Sequence, residues 1–247
     1  IQSELFQQGS HLMGNSWFQF QQFRINQDRS AMKISTDAVL LGALAKAENP
    51  VQILDIGTGT GVIALMLAQR FPQAKITALE LDDEAAGQAR ENFEESSFAD
   101  RLKVFAMRIQ DFESTLKFDL IVSNPPYFPD HLKSSDQKRN QALHTDQLSF
   151  EELLQKSSEL LSEKGSFWVI LPPRQMTDFI FLAEKDKLFL SEIYHVQDSP
   201  IKAVHRQIAK VTRFEQVVFE GKLLIKYADG TPHESYKDLI AGFLLNF

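Results

Sequence analysis

The sequence has 247 residues, a net charge of −7 and no cysteine, which excludes disulfides and thiolate metal sites. Its six histidines are scattered without an HxH or HxxxH pair, so a histidine metal cluster is not expected, and no apolar run reaches the roughly 18 residues of a membrane-spanning helix. The acidic balance counts mildly against a nucleic-acid partner, because phosphate binding needs a basic face, although local patches outweigh the sum.

Residues 1–12, ending Gly9-Ser10-His11-Leu12 ahead of Met13, read as an expression-tag remnant and are set aside. The remainder is expected to divide into an N-terminal hairpin-and-helix extension (13–50) and one large domain (51–247), cytoplasmic and monomeric. Residues 17–25 alternate apolar and polar side chains and predict a hairpin or lid; 36–47 predict a helix capped by Ser35 or Thr36. From residue 51 strands and helices alternate: strands at 51–56, 75–80, 102–107, 118–123 and 166–171, helices at 61–71, 83–93 and 150–161, the last closed near Gly165. This rhythm predicts an α/β fold with a parallel, doubly wound sheet. Strand-like segments follow at 189–196, 208–219 and 223–227, and residues 236–247 are weakly helical. Residues 130–147 are a long polar loop, and a long loop in a compact domain is often functional.

The most informative stretch is Asn124-Pro125-Pro126-Tyr127, directly after the apolar run 118–123. Neither proline has an N–H for a strand ladder, so the strand ends there and the next residues are held extended. A rigid carboxamide and a rigid ring are thereby placed at a strand's carboxyl end, where open α/β sheets bind ligands. Such a pair suits a planar amine: Asn124 Oδ1 and the Pro125 carbonyl accept from an NH2 group while Tyr127 stacks on the attached ring. The plain alternative is a strand-to-loop turn.

A second cluster favours the first reading. Asp55-Ile56-Gly57-Thr58-Gly59-Thr60-Gly61 follows the first strand of the alternating region and opens a helix. Its spacing is GxGxG rather than the dinucleotide GxGxxG. Glu80, at the end of the next strand, is placed to accept from two ribose hydroxyls. Asp111 is placed to accept from an adenine amino group, with Phe112 covering the ring. An acid before the glycines suits S-adenosylmethionine, which carries an adenosine without phosphate and an ammonium that Asp55 can hold. The helix opened by Thr36 is the candidate donor to its carboxylate.

Residues 55–61, Glu80, Asp111 and residues 124–127 stand in the order and spacing of class I S-adenosylmethionine-dependent methyltransferases with an Asn-Pro-Pro-Tyr motif, and the chain resembles that class. Residues 20–29 and 31–43 resemble the N-terminal signature of one subfamily, the bacterial valine-tRNA adenine-N6-methyltransferases, and residues 236–247 are similar to its closing segment. The resemblance covers about residues 17–247. It implies a Rossmann-like fold with a mostly parallel seven-stranded sheet, S-adenosylmethionine as cofactor, no metal, and the adenine beside the anticodon (position 37) of a valine tRNA as methyl acceptor. Asn124, Pro125 and Tyr127 would then be catalytic. The cofactor would contact Thr36, Asp55, Gly57, Gly59, Gly61, Glu80, Asp111, Phe112 and Asn124. Tyr127, Phe128, Lys138, Arg139, His205 and Arg206 would contact RNA, with Met32 as a further pocket candidate and Lys133, Lys202, Lys210, Arg213, Arg24 and Arg29 as further basic candidates.

The motif alone admits other planar amines. Protein-glutamine N5-methyltransferases and guanine-N2 rRNA methyltransferases are the alternatives. The former usually carry a separate helical N-terminal domain, for which the segment before the first strand is short. DNA adenine-N6 enzymes need room for a target-recognition domain. A silent cofactor-binding module has no need of Asn124 and Tyr127, and a nucleotide-dependent dehydrogenase explains neither the GxGxG spacing nor the proline motif.

Overall fold

The computed structural model describes residues 16–29, 33–125 and 148–245. In chain order it has β1 (Trp17–Gln19), β2 (Arg24–Asn26), α1 (Thr36–Leu44), β3 (Gln52–Ile56), α2 (Val62–Arg70), β4 (Lys75–Glu80), α3 (Asp83–Glu94), β5 (Leu102–Ala106), β6 (Phe118–Ser123), α4 (Phe150–Leu160), β7 (Leu161–Leu171), α5 (Pro173–Lys185), β8 (Phe189–Gln197), β9 (Val204–Thr212), β10 (Phe219–Leu224) and α6 (Glu234–Ile240). Strands β3 to β10 form one sheet in the order β10-β8-β9-β7-β6-β3-β4-β5. All neighbours are parallel except β9, which runs antiparallel to both β7 and β8.

The strands are apolar on both faces because both are covered. Ile53, Ile76, Leu120, Val122, Trp168 and Ile208 point into the core beneath α1, α2 and α3. Their neighbours Leu54, Leu79, Ile121, Val169 and Ala209 point to the opposite core beneath α4 and α5. Helix starts follow ordinary capping chemistry. Ser35 accepts from the Ala38 N–H, Asp82 from Ala85, and Ser149 forms a reciprocal capping box with Glu152.

Three features depart from the sequence reading. The sheet has eight strands, not the seven that the resemblance implies, and the last two are shifted toward the N-terminus: the segment expected over 208–219 runs as β9 from Val204 to Thr212, and the one expected over 223–227 runs as β10 from Phe219 to Leu224 beside β8. The break coincides with Arg213, whose guanidinium donates to the Ser158 and Leu161 carbonyls. Helix α5 was not expected, because Pro172-Pro173 reads as a strand stop. It is also a helix start, with Pro173 in the first turn where a missing N–H does no harm and Met176, Phe179 and Ala183 forming the buried stripe. Gly165 does not close α4, which ends at Leu160; it lies inside β7, where a Cβ would come within 2.8 Å of the Phe118 carbonyl oxygen.

The hairpin of β1 and β2 is built into the main core. Phe20, Phe23 and Ile25 are buried in the same apolar cluster as α1 and α2. Phe20 bridges to Leu244, and Gln21 donates through its backbone to the Phe243 carbonyl and through its side chain to the Ala241 and Leu244 carbonyls. The hairpin and residues 241–244 therefore close together over one layer of the sheet.

Candidate active site

Strand register assembles the site. Ile56 of β3 is level with Ser123 of β6 and with Leu79 of β4. The next residue on each strand lies at the carboxyl edge, so Asn124, Gly57 and Glu80 form a row across three adjacent strands. The row is fastened from below: Ser123 Oγ donates to the Ile56 carbonyl at 2.9 Å, and the Gly57 N–H donates to the Leu79 carbonyl at 2.8 Å. Asn124 is half-buried and Pro125 buried.

The glycine loop turns because Gly57, Gly59 and Gly61 have φ of 73°, 56° and 86°, values that residues with a Cβ adopt only at a cost. A Cβ at Gly57 or Gly59 would meet nothing within 4 Å, so the loop backbone faces open space there. Glu80 braces the loop: Oε2 accepts from the Gly59 N–H at 2.8 Å, and Oε1 from the Asp82 N–H at 3.0 Å. The sequence reading placed Glu80 on a ribose and missed this second duty, for which local sequence holds no signal because the partner lies 21 residues away.

Asp55 is fully buried. Its Oδ2 accepts from the Thr58 hydroxyl at 2.6 Å, while Oδ1 is buried without a hydrogen-bond partner. Burial pushes its carboxyl up to about 7, with the nearby Glu80 adding to the rise and the Thr58 hydroxyl and Ala64 backbone opposing it. A buried carboxylate oxygen left unpaired is rare and costs free energy, which makes it a candidate contact for a cationic ligand.

The other predicted residues fall as follows. Asp111 is exposed on a short 3-10 turn (Ile109–Asp111) beyond β5, and Phe112 is buried between Phe105 and Phe118. Thr36 is the first residue of α1, with Ser35 as its cap. Arg206 lies near the start of β9 and its Nε donates to Asp37 Oδ2 at 2.6 Å, which pins the amino end of α1 to the carboxyl edge of the sheet. The geometry thus gives Arg206 an ion pair rather than an open phosphate contact. His205 beside it has Nδ1 buried without a partner. Arg213 and Lys210 lie away from this edge: Arg213 holds the last carbonyls of α4, and Lys210 pairs with Glu192. Arg29 pairs with Glu91, and Arg24 lies over the Trp17 ring at 4.3 Å. Lys202 is exposed in the turn between β8 and β9. Tyr127, Phe128, Lys138 and Arg139, like Met32 and Lys133, lie outside the described residues.

Residues 33–185 match the family model of the methyltransferase small domain. The tRNA1(Val) (adenine(37)-N6)-methyltransferase of Pedobacter heparinus is 43% identical over 230 residues, covering 93% of this chain and 98% of the relative. The enzyme of the same name from Bacteroides thetaiotaomicron is 41% identical over 235 residues, covering 95% and 99%. The chain belongs to the tRNA1(Val) (adenine(37)-N6)-methyltransferase family. Among solved structures, a predicted O-methyltransferase from Agrobacterium tumefaciens superposes with a TM-score of 0.65 at 19% identity, over 84% of this chain and 96% of the other. A methyltransferase from Pyrococcus furiosus gives 0.52 at 21%, over 72% and 81%. At these identities the likeness establishes the methyltransferase fold.

For a member of this methyltransferase family the pieces fit S-adenosylmethionine. Asp55 Oδ1 is buried with no hydrogen-bond partner and so can accept from the cofactor's ammonium, and Gly57 and Gly59 leave room against their backbone. Glu80 keeps lone pairs beyond its two loop bonds. Among the described residues no cluster of histidine and carboxylate side chains could hold a metal ion, and no helix is long and apolar enough to cross a membrane.

Proposed function

We propose that the chain transfers the methyl group of S-adenosylmethionine to N6 of adenine 37 in a valine tRNA, in the bacterial cytoplasm. The observation that carries the chemistry is the register that sets Asn124 level with Gly57 and Glu80, one strand from the orphaned Asp55. The choice of substrate follows from identity above 40% along nearly the full length of relatives named for it.

When bound, the cofactor supplies an activated methyl group on a sulfonium, so neither a metal nor a covalent intermediate is needed. The protein's task is orientation. An adenine N6 lone pair is delocalised into the ring and attacks poorly. Asn124 Oδ1 and the Pro125 carbonyl, accepting from the two amino hydrogens, turn that lone pair toward the methyl group and stabilise the positive charge growing on nitrogen. Asn124 is neutral and serves as no general base; the proton departs to water afterwards. Tyr127, from the same motif, is assigned to stacking on the base, a contact of about 1–3 kcal/mol that offsets the few kcal/mol of unstacking. Lys138, Arg139 and His205 are assigned to the RNA backbone.

The test is incubation with total tRNA from a strain lacking this activity, followed by nucleoside mass spectrometry of the isolated valine tRNA. N6-methyladenosine at position 37 is expected. Methylguanosine, or a methylated protein glutamine in a parallel lysate assay, would replace this reading with one of the other planar-amine activities.

A further inference from the structure

We infer that Asn92 is a positioning residue for cofactor binding. Its buried carboxamide ties the glycine loop to the N-terminal hairpin, so that filling the cofactor site and ordering the hairpin favour each other. The inference rests on the S-adenosylmethionine reading given above.

Asn92 lies in the last turns of α3 and is fully buried. Its Oδ1 accepts from the Asn26 N–H at 2.8 Å. Its Nδ2 donates to the Asn26 carbonyl at 2.9 Å and to the Thr60 carbonyl at 2.8 Å. Both amide hydrogens are used, one on the end strand of the hairpin and one on the glycine loop, 34 residues apart by number and joined through this side chain. The next residue acts on the same peptide: the Phe93 ring lies so close to Gly61 that a Cβ there would come within 2.4 Å of it. The Thr60–Gly61 peptide is therefore held by a hydrogen bond on one side and an aromatic ring on the other. One turn earlier Gln88, also fully buried, donates to Asp28 Oδ1 at 2.7 Å and accepts from the Arg29 N–H at 3.1 Å. Two carboxamides at i and i+4 thus form one polar stripe on α3, facing the segment that leaves the hairpin.

The loop needs such a brace. Three glycines at positive φ have many other conformations open to them, and binding a ligand against their backbone requires this one. Any conformation lost from the binding-competent population lowers apparent affinity in proportion. Coupling between two sites is reciprocal, so a hairpin that stiffens the loop is itself stiffened when the loop is filled. A solvated helix-surface asparagine would do none of this, but Asn92 has no exposure to solvent and three backbone partners.

The test uses the full chain. Amide hydrogen exchange is measured with and without saturating S-adenosylmethionine, and cofactor affinity is measured by calorimetry for the wild type, Asn92→Leu and Gln88→Leu. In the wild type, exchange in residues 17–26 is expected to slow about fivefold or more on binding. Asn92→Leu is expected to raise the dissociation constant about tenfold or more and abolish the hairpin protection, while kcat at saturating cofactor stays within about threefold. Gln88→Leu, a comparable loss one turn away with its bonds to residues 28 and 29, is expected to lower Tm similarly but shift affinity less than about threefold. An Asn92→Leu protein with lowered Tm and wild-type affinity would reduce Asn92 to a structural role. If that variant does not fold, the wild-type exchange experiment decides alone, and hairpin exchange indifferent to bound cofactor overturns the inference. A wild type that binds no S-adenosylmethionine would overturn the cofactor reading along with it.

Discussion

Asp55 illustrates how a single side chain carries information that only its surroundings reveal. In the sequence it is an acid ahead of three glycines; in the fold it is a buried carboxyl with one oxygen satisfied by Thr58 and the other unpaired. Its value is about 7 in the folded chain against 3.8 ordinarily, so between these limits the folded state holds a proton that the unfolded state has lost. This group's contribution to the stability of the ligand-free protein is therefore fully present below about pH 4 and is lost as pH rises through 7. Cofactor affinity should run the other way, because an ammonium favours the ionised carboxyl. Calorimetry from pH 6 to 7.5 is expected to show affinity rising about five- to tenfold, over a range in which an α-amino group near 7.7–8.0 stays mostly protonated. Asp55→Asn should bind more weakly and with a flat profile; the same slope in that variant would remove Asp55 from the cofactor contact. Asn124 makes a complementary prediction. Asn124→Ala should still bind S-adenosylmethionine while transfer falls by about a hundredfold or more, because the lost acceptor acts on the amine in the transition state. Single-turnover assays at saturating cofactor measure this, and an active variant would sink the orientation mechanism.

At the scale of elements, the strand–glycine loop–helix unit of β3 and α2 and the strand–proline unit of β6 were legible in advance because their signals are local. Apolar runs of strand length, glycines after them and prolines that cannot continue a ladder mark β3, β4 and β6 to within a residue. Helix α5 was missed for a physical reason of the same kind: one local signal, Pro-Pro, serves both to end a strand and to begin a helix, and only the apolar stripe after it distinguishes the two. Gly61 joins a local and a distant requirement. Its φ of 86° excludes most side chains and its Cβ position is filled by Phe93. Gly61→Ala is expected to destabilise the chain by about 2–4 kcal/mol, combining left-handed strain with overpacking. Urea unfolding reads this directly, and a loss under about 1 kcal/mol would mean that Phe93 moves aside easily.

Across the whole molecule the hairpin and the segment 241–244 meet over one sheet layer. Phe20, fully buried, stacks on Phe23 at 4.5 Å and bridges to Leu244 near the other terminus. If the hairpin is part of the same cooperative unit as the sheet, Phe20→Ala should cost about 3–5 kcal/mol in a single transition seen alike by tryptophan fluorescence and circular dichroism. A separate early transition limited to the hairpin would show instead that it folds as an appendage. The same scale accounts for three basic residues that the sequence offered as candidates for RNA contact. Arg206, Arg213 and Lys210 are basic and near one another in sequence, yet one fixes α1, one closes α4 and one pairs across strands.

The sequence by itself determined the alternation of strands and helices, the glycine loop, the Asn-Pro-Pro-Tyr motif and the resemblance to adenine-N6-methyltransferases of tRNA. These rest on periodicity, backbone restriction and residue spacing, which act over a few neighbours. Only the tertiary structure decided that Asn124, Gly57 and Glu80 stand in one row, that Asp55 keeps an unpaired buried oxygen, that the last strand takes the sheet edge beside β8, and that Asn92 links the hairpin to the loop. Each of these depends on strand register or on a contact between segments far apart in the chain. Such partners are chosen by packing and desolvation of the whole fold, and no local pattern encodes them.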